Sequence, residues 1–295
     1  MIEIFKAKMV KEISRTTSED KISRQKVRLS LERIGFHELL HEEITNRLTL
    51  LEKGSKFNEY SRRIERGMEN VLNLLERQYA EKYPEVVFLK KQRYDGSIAA
   101  ILHDIGKSGP AEATSKEQDL IIKLFARENI RNSNMLVSEV IGEMFFENQL
   151  AETLETLEKY KIGEKTTMRE FWDRHAQWTH DILEKYSQNL NAHVRMISGS
   201  HHIDRGINPY NLSDEVVVPL AANVIGTLEE YVETLEGRAL IALDQYEAAI
   251  ERGKLSHEMA LSRVRSSMVK HKNDKLMNLV LGAIDELGEN STIFN

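Results

Sequence analysis

The 295-residue chain contains no cysteine. That excludes disulfides, zinc ribbons, cysteine-held iron–sulfur clusters and thiol catalysis. Prolines number only 4 and glycines 15, so few breaks punctuate the chain and long helices are expected. No apolar run approaches the roughly 20 residues that span a bilayer, and no signal-peptide pattern opens the chain, so the expected location is the cytoplasm, with no membrane partner. A basic surplus is also missing. The net charge is -6, which argues against bulk nucleic-acid binding. Glycine-rich phosphate loops, GxSxG elbows and internal repeats are absent as well. Any metal must therefore be held by histidine and carboxylate, and 10 histidines are present.

The remainder is a globular balance of 41% hydrophobic and 30% charged residues. Apolar residues recur at helical spacing and no stretch alternates strictly, which predicts an all-α fold. Residues 1–55 read as two or three helices ending near Lys53-Gly54-Ser55, a segment for regulation or dimerisation. His37 and His41 stand four apart there, a surface or interface pair. A long amphipathic helix is predicted from Phe57 to about Tyr83, closed by Pro84. A loop near Arg93-Tyr94-Asp95-Gly96 would lead to the next helix. Two more helices are expected near 116–128 and 135–160. Thr167 and Glu170 form a capping-box signature for the helix carrying His175. Further helices are expected over 190–200, 214–236, 238–250, 256–270 and 273–287, with a turn-rich loop at Asn208-Pro209-Tyr210-Asn211.

One stretch carries the most chemistry: Leu102-His103-Asp104-Ile105-Gly106-Lys107. Adjacent histidine and aspartate can turn into one pocket where a helix stops, and together they suit Fe, Mn or Zn. A second pair, His180-Asp181, falls in mid-helix, where neighbours diverge, and reads as solvated. Asp244 sits among Ala239, Leu240, Ile241, Leu243 and Ala248. A carboxylate in so apolar a helix is costly unless a metal or a buried arginine pairs with it.

In order along the chain, these segments resemble the HD phosphohydrolase superfamily, and within it the HD-GYP phosphodiesterases. His103 to Lys107 has the form typical of that group. The segment from His175 to Leu183 resembles its next histidine segment, and His201-His202 its paired histidines. Ala242-Leu243-Asp244-Gln245-Tyr246-Glu247-Ala248 resembles its Ala-Asp-x-Tyr-Asp-Ala helix, with Arg252 and Lys254 near the usual basic pair. The resemblance covers roughly 57–110 and 163–270. It implies a helical HD-domain bundle over 56–295, with the N-terminal helices added and a helical insertion at about 108–162. Four departures stand out: Tyr60 occupies the likely place of the first metal histidine, Ile207-Asn208-Pro209 replaces Gly-Tyr-Pro, Ile203 replaces a glutamate, and the 108–162 connection is long.

By this resemblance, His103, Asp104 and Asp244 would hold one ion and His175, His201 and His202 the other, with Asp104 bridging. The implied cofactor is a pair of divalent ions, Fe or Mn rather than Zn. The ions would acidify a shared water for attack on a phosphodiester. Lys107, Arg252 and Lys254 would bind phosphate, and Tyr210 would substitute for the missing substrate-facing tyrosine. The implied substrate is a cyclic dinucleotide, cyclic di-GMP first, or another phosphorylated nucleotide. The alternative is a degenerate member that binds a nucleotide or a protein partner without turnover. A homodimer is a further expectation.

Overall fold

The computed structural model describes residues 20–33, 42–55, 57–82, 90–127, 132–144, 147–185, 190–203, 207, 217–220, 224–227, 235–268, 275–290 and 292–294. His37, His41 and the loop at 208–211, with Tyr210, lie outside the described residues. The fold is all-α, a helical bundle. Its helices are α1 (20–33), α2 (Glu42–Ser55), α3 (Phe57–Tyr79), α4 (Lys90–Leu102), α5 (Ser115–Phe125), α6 (Val137–Met144), α7 (Glu147–Glu158), α8 (Met168–Lys185), α9 (Ala192–Gly199), α10 (Leu235–Glu251), α11 (His257–Ser267) and α12 (Lys275–Glu289). No helix among the described residues is long and apolar enough to cross a membrane.

Three local expectations are corrected. Residues 93–96 belong to α4 rather than to a loop. Gly96 serves a close helix approach there: a Cβ would meet Met68 Sδ at 3.1 Å and Glu236 Cγ at 3.3 Å. The single helix expected over 135–160 is two, α6 and α7. Within 214–236, β1 (Val217–Leu220) and β2 (Val224–Thr227) pair antiparallel, Val217 opposite Thr227. β-branched residues favour strand, and Pro219 cannot donate within a helix. The capping box at Thr167 forms as expected, Thr167 N–H donating to Glu170 Oε2 at 2.7 Å and Glu170 N–H to Thr167 Oγ1 at 3.2 Å.

Two apolar clusters set the position of the site. The larger joins α1 to α4 with α9 to α12, through side chains such as Leu31, Leu48, Ile64, Leu75, Leu102, Leu240 and Ile284. The smaller gathers Ile121, Leu124, Val137, Ile141, Leu157 and Ile162 against Met168, Phe171 and Trp178 of α8. Helix α8 therefore lies on the seam, with Ile182 and Leu183 in the larger cluster and Phe171 and Trp178 in the smaller. His175 sits between these two faces, and that seam is where the histidines and aspartates meet.

Candidate metal centre

Each chemical side chain reaches the seam from a helix end or a helix face. Helix α4 stops at Leu102, and Asp104 takes a turn conformation (φ -100°, ψ 9°) before a short 3-10 turn over Ile105–Ser108. The change of course turns both His103 and Asp104 inward. His201 and His202 likewise follow the end of α9 at Gly199. His175 projects from α8, Asp244 from α10 and Tyr60 from α3.

The turn after Asp104 is held by two polar anchors. Thr179 of α8 accepts from the Gly106 N–H at 3.0 Å and donates to His103 O at 2.8 Å. Arg47 of α2 is 1% exposed and donates to Ser108 Oγ (3.1 Å), Gly109 O (3.2 Å) and Ala111 O (3.0 Å). Each buried backbone group that these side chains satisfy would otherwise cost about 1–3 kcal/mol. Neither anchor was foreseen from the sequence. Thr179 stands four residues after His175 on one helical face, which is its only sequence signal; Arg47 has none.

Two groups of buried ligand-type side chains result, His175–His201–His202 and His103–Asp104–Asp244, each with its donor atoms within 4.8 Å of one another. All six residues are at most 5% exposed. Asp104 touches both groups. Its Oδ1 lies 3.1 Å from His175 Nε2 and 3.8 Å from His201 Nε2, and its Oδ2 lies 3.4 Å from His103 Nε2. Asp244 Oδ1 lies 3.8 Å from His103 Nε2 and accepts a 2.5 Å hydrogen bond from the Tyr60 hydroxyl.

The imidazoles are oriented by one repeated device. Nδ1 of His103 faces Ala100 O at 2.7 Å, Nδ1 of His201 faces Ser198 O at 2.7 Å, and Nδ1 of His175 bonds to Trp172 O. A nitrogen facing a carbonyl must carry the proton. Each Nε2 is then left with its lone pair aimed into the seam, the arrangement that metal-ligating histidines use.

This packing creates a cation deficit. His175 Nε2 lies 3.1 Å from His201 Nε2, from His202 Nε2 and from Asp104 Oδ1. With their protons on Nδ1, His175 and His201 present lone pairs to each other, and His175 presents the same lone pair to the Asp104 carboxylate. A cation makes such contacts attractive, and donors about 3.0 Å apart are what an ion with bonds near 2.1 Å requires at right angles. His103 Nε2 is buried with no hydrogen-bond partner. Asp104 forms an ion pair with Lys107, and Asp244 contacts the Tyr60 hydroxyl and, farther off, the His103 imidazole. The donor set therefore fits metal ions.

Electrostatics point the same way. Burial, together with the neighbouring His103 and His175, pulls His201 down to about 3, so its ring is neutral near pH 7. Burial resists charge on Asp104, yet Lys107, His103 and His175 hold its carboxyl well below the usual range. Burial likewise opposes charge on Asp244, which His103 and His202 outweigh. Burial opposes charge on His103 too, but Asp104 and Asp244 raise it. Tyr60 is raised well above the usual phenol value by burial, Asp244 and Asp104.

The phosphate-binding candidates are more scattered. Lys107 lies against Asp104, its ammonium also 5.3 Å over the Tyr60 ring. Arg252 is exposed by surface area yet lies in the electrostatic reach of Tyr60, Asp244 and Asp104. Lys254 is 78% exposed and pairs with Glu251 at 3.6 Å. His180 contacts Asp181 at 3.0 Å outside both groups, half-buried rather than fully solvated.

Glu247, one turn from Asp244, gives a test of the local field. It is 1% exposed, and Arg63 Nη1 is 3.4 Å from its Oε1. Burial, reinforced by Glu251 and Asp244 against the pull of Arg63, pushes its carboxyl from 4.5 up to about 7. A carboxyl raised in the folded state takes up a proton on folding, so its contribution is lost as pH rises from about 4.5 through 7. Glu247→Gln is expected to stabilise the protein relative to wild type at pH 8, on the order of 2–3 kcal/mol, and by nothing comparable at pH 4. Chemical denaturation at the two pH values checks this; an equal difference at both would contradict it.

Comparison of the chain with protein-family models, with curated proteins and with solved structures gave no match.

Proposed function

We propose that the chain is a metal-dependent phosphodiesterase of the HD-GYP kind, carrying two divalent ions, Fe or Mn, and hydrolysing a cyclic dinucleotide, first of all cyclic di-GMP. One observation supports this above others: two buried three-residue ligand groups meet at a single carboxylate, Asp104. Paired ions supply charge neutralisation at a phosphate and acidification of water. Around them, the chain's own residues have distinct tasks. The backbone carbonyls of residues 100, 172 and 198 keep three imidazoles facing inward. Lys107, with 21% of its side chain exposed, can exchange its bond to Asp104 for one to a phosphate oxygen. Arg252 adds positive potential at the same edge.

The test is incubation of anaerobically purified protein, reconstituted with ferrous or manganous ion, with cyclic di-GMP. The expected product is a linear dinucleotide or the mononucleotide, formed only in the presence of metal. Metal-loaded protein that leaves the cyclic dinucleotide intact would contradict the reading. Tyr60 favours a second reading, in which the chain binds a nucleotide or a protein partner without turnover, because its hydroxyl occupies an oxygen of Asp244. Tight binding without product would support that one.

A further inference from the structure

Among the described residues, Tyr60 is a polar group at the seam that the histidine-and-carboxylate scheme leaves unused. It stands on α3, which packs directly against α4, whose end leads into His103, and against α10, which carries Asp244. Its hydroxyl is directed at Asp244 Oδ1 at 2.5 Å, and its ring centroid lies 6.0 Å from that of His103. Its oxygen therefore stands directly beside a carboxylate of the His103–Asp104–Asp244 group. Among the described residues, the group it joins contains three histidine and aspartate ligands, His103, Asp104 and Asp244.

We propose that Tyr60 is a fourth protein ligand at the His103–Asp104–Asp244 position, binding the ion through its phenolate oxygen. The inference rests on the metal-centre reading above. On ligation the phenol O–H bond breaks, the proton leaves to solvent, and the oxygen lone pair binds the ion. A phenolate is a hard anionic donor, so it favours iron and stabilises the ferric state in particular. The two positions are thereby made unequal. The one with Tyr60 has three oxygen-bearing residues and one imidazole, and the other has three imidazoles and a share of Asp104.

The experiment uses the full chain loaded anaerobically with ferrous iron, its metal content measured, and then oxidised in air. Ferric phenolate absorbs visible light by charge transfer, so the oxidised wild type is expected to colour. Tyr60→Phe, checked by circular dichroism for an unchanged helical fold, should lose that band. Tyr60→His should retain the iron without the band, because an imidazole replaces the donor. Iron that remains bound after oxidation with no visible band, or an undiminished band in Tyr60→Phe, overturns the proposal alone. Loss of iron on oxidation also counts against it, since a phenolate should hold the ferric ion. If wild type binds no ferrous iron at all, the metal-centre reading itself fails and takes this inference with it.

Discussion

On the two-ion proposal, Asp104→Ala is expected to strip both ions from the protein while leaving the helical fold in place. Asp104 is the residue whose two carboxylate oxygens face different groups, Oδ1 toward His175 and His201 and Oδ2 toward His103. Its removal takes a donor from each position and half of the buried negative charge that attracts the ions. Loss of a supporting partner alone typically costs 10–100-fold in metal affinity or activity, so loss of the shared ligand should exceed about 100-fold. The fold should tolerate the change. A buried carboxylate is itself costly, and Lys107 is exposed enough to turn its ammonium to solvent. Metal analysis paired with circular dichroism checks both halves. Wild-type metal content in a folded Asp104→Ala protein would contradict the assignment.

Gly106→Ala should have the largest effect on stability. A Cβ at this position would lie 2.0 Å from His175 O, 2.5 Å from Thr179 N and 2.7 Å from Thr179 Oγ1. Two of those atoms are backbone of α8, which cannot swing aside as the end of a side chain can. Overpacking of this kind typically costs 1–3 kcal/mol, and a clash with backbone belongs at the upper end. A loss of about 3 kcal/mol corresponds to a fall in Tm of roughly 6–12 °C. The clash pushes α8 off the turn, which separates His175 from Asp104 and breaks the Thr179 bridge between Gly106 and His103. Metal affinity should fall with it, by more than about 10-fold. Calorimetry and metal titration together test this; a wild-type Tm with wild-type metal affinity would contradict it.

How much of this was legible differs from residue to residue. The helices were readable because long stretches repeat apolar residues at helical spacing with few glycines and prolines to interrupt them. The inward turn of His103 and Asp104 was readable because a helix must end before Gly106, and neighbours at a helix end can share a pocket. Asp244 stood out by its cost in an apolar helix. The structure brings these three together with Tyr60, and it gathers His175, His201 and His202 beside them. Other features have no local signature. Gly96 looks like a turn residue, but it permits a close approach between α4 and its neighbours at Met68 and Glu236. Arg47 anchors a loop more than 60 positions away, which composition and spacing near Arg47 cannot reveal. The paired strands 217–220 and 224–227 sit where apolar valines fit a helical period equally well, and the pairing of β1 with β2 decides between them.

The buried histidines and aspartates at the seam between the two apolar clusters are expected to hold metal. The most direct measurement is the metal content of anaerobically purified protein by mass spectrometry, as moles of ion per mole of chain. Two bound ions, falling to about one when His175 is replaced by alanine in a protein that remains helical, is the predicted result. A folded wild-type chain that retains no metal after purification and takes up none from ferrous, manganous or zinc salts would contradict it.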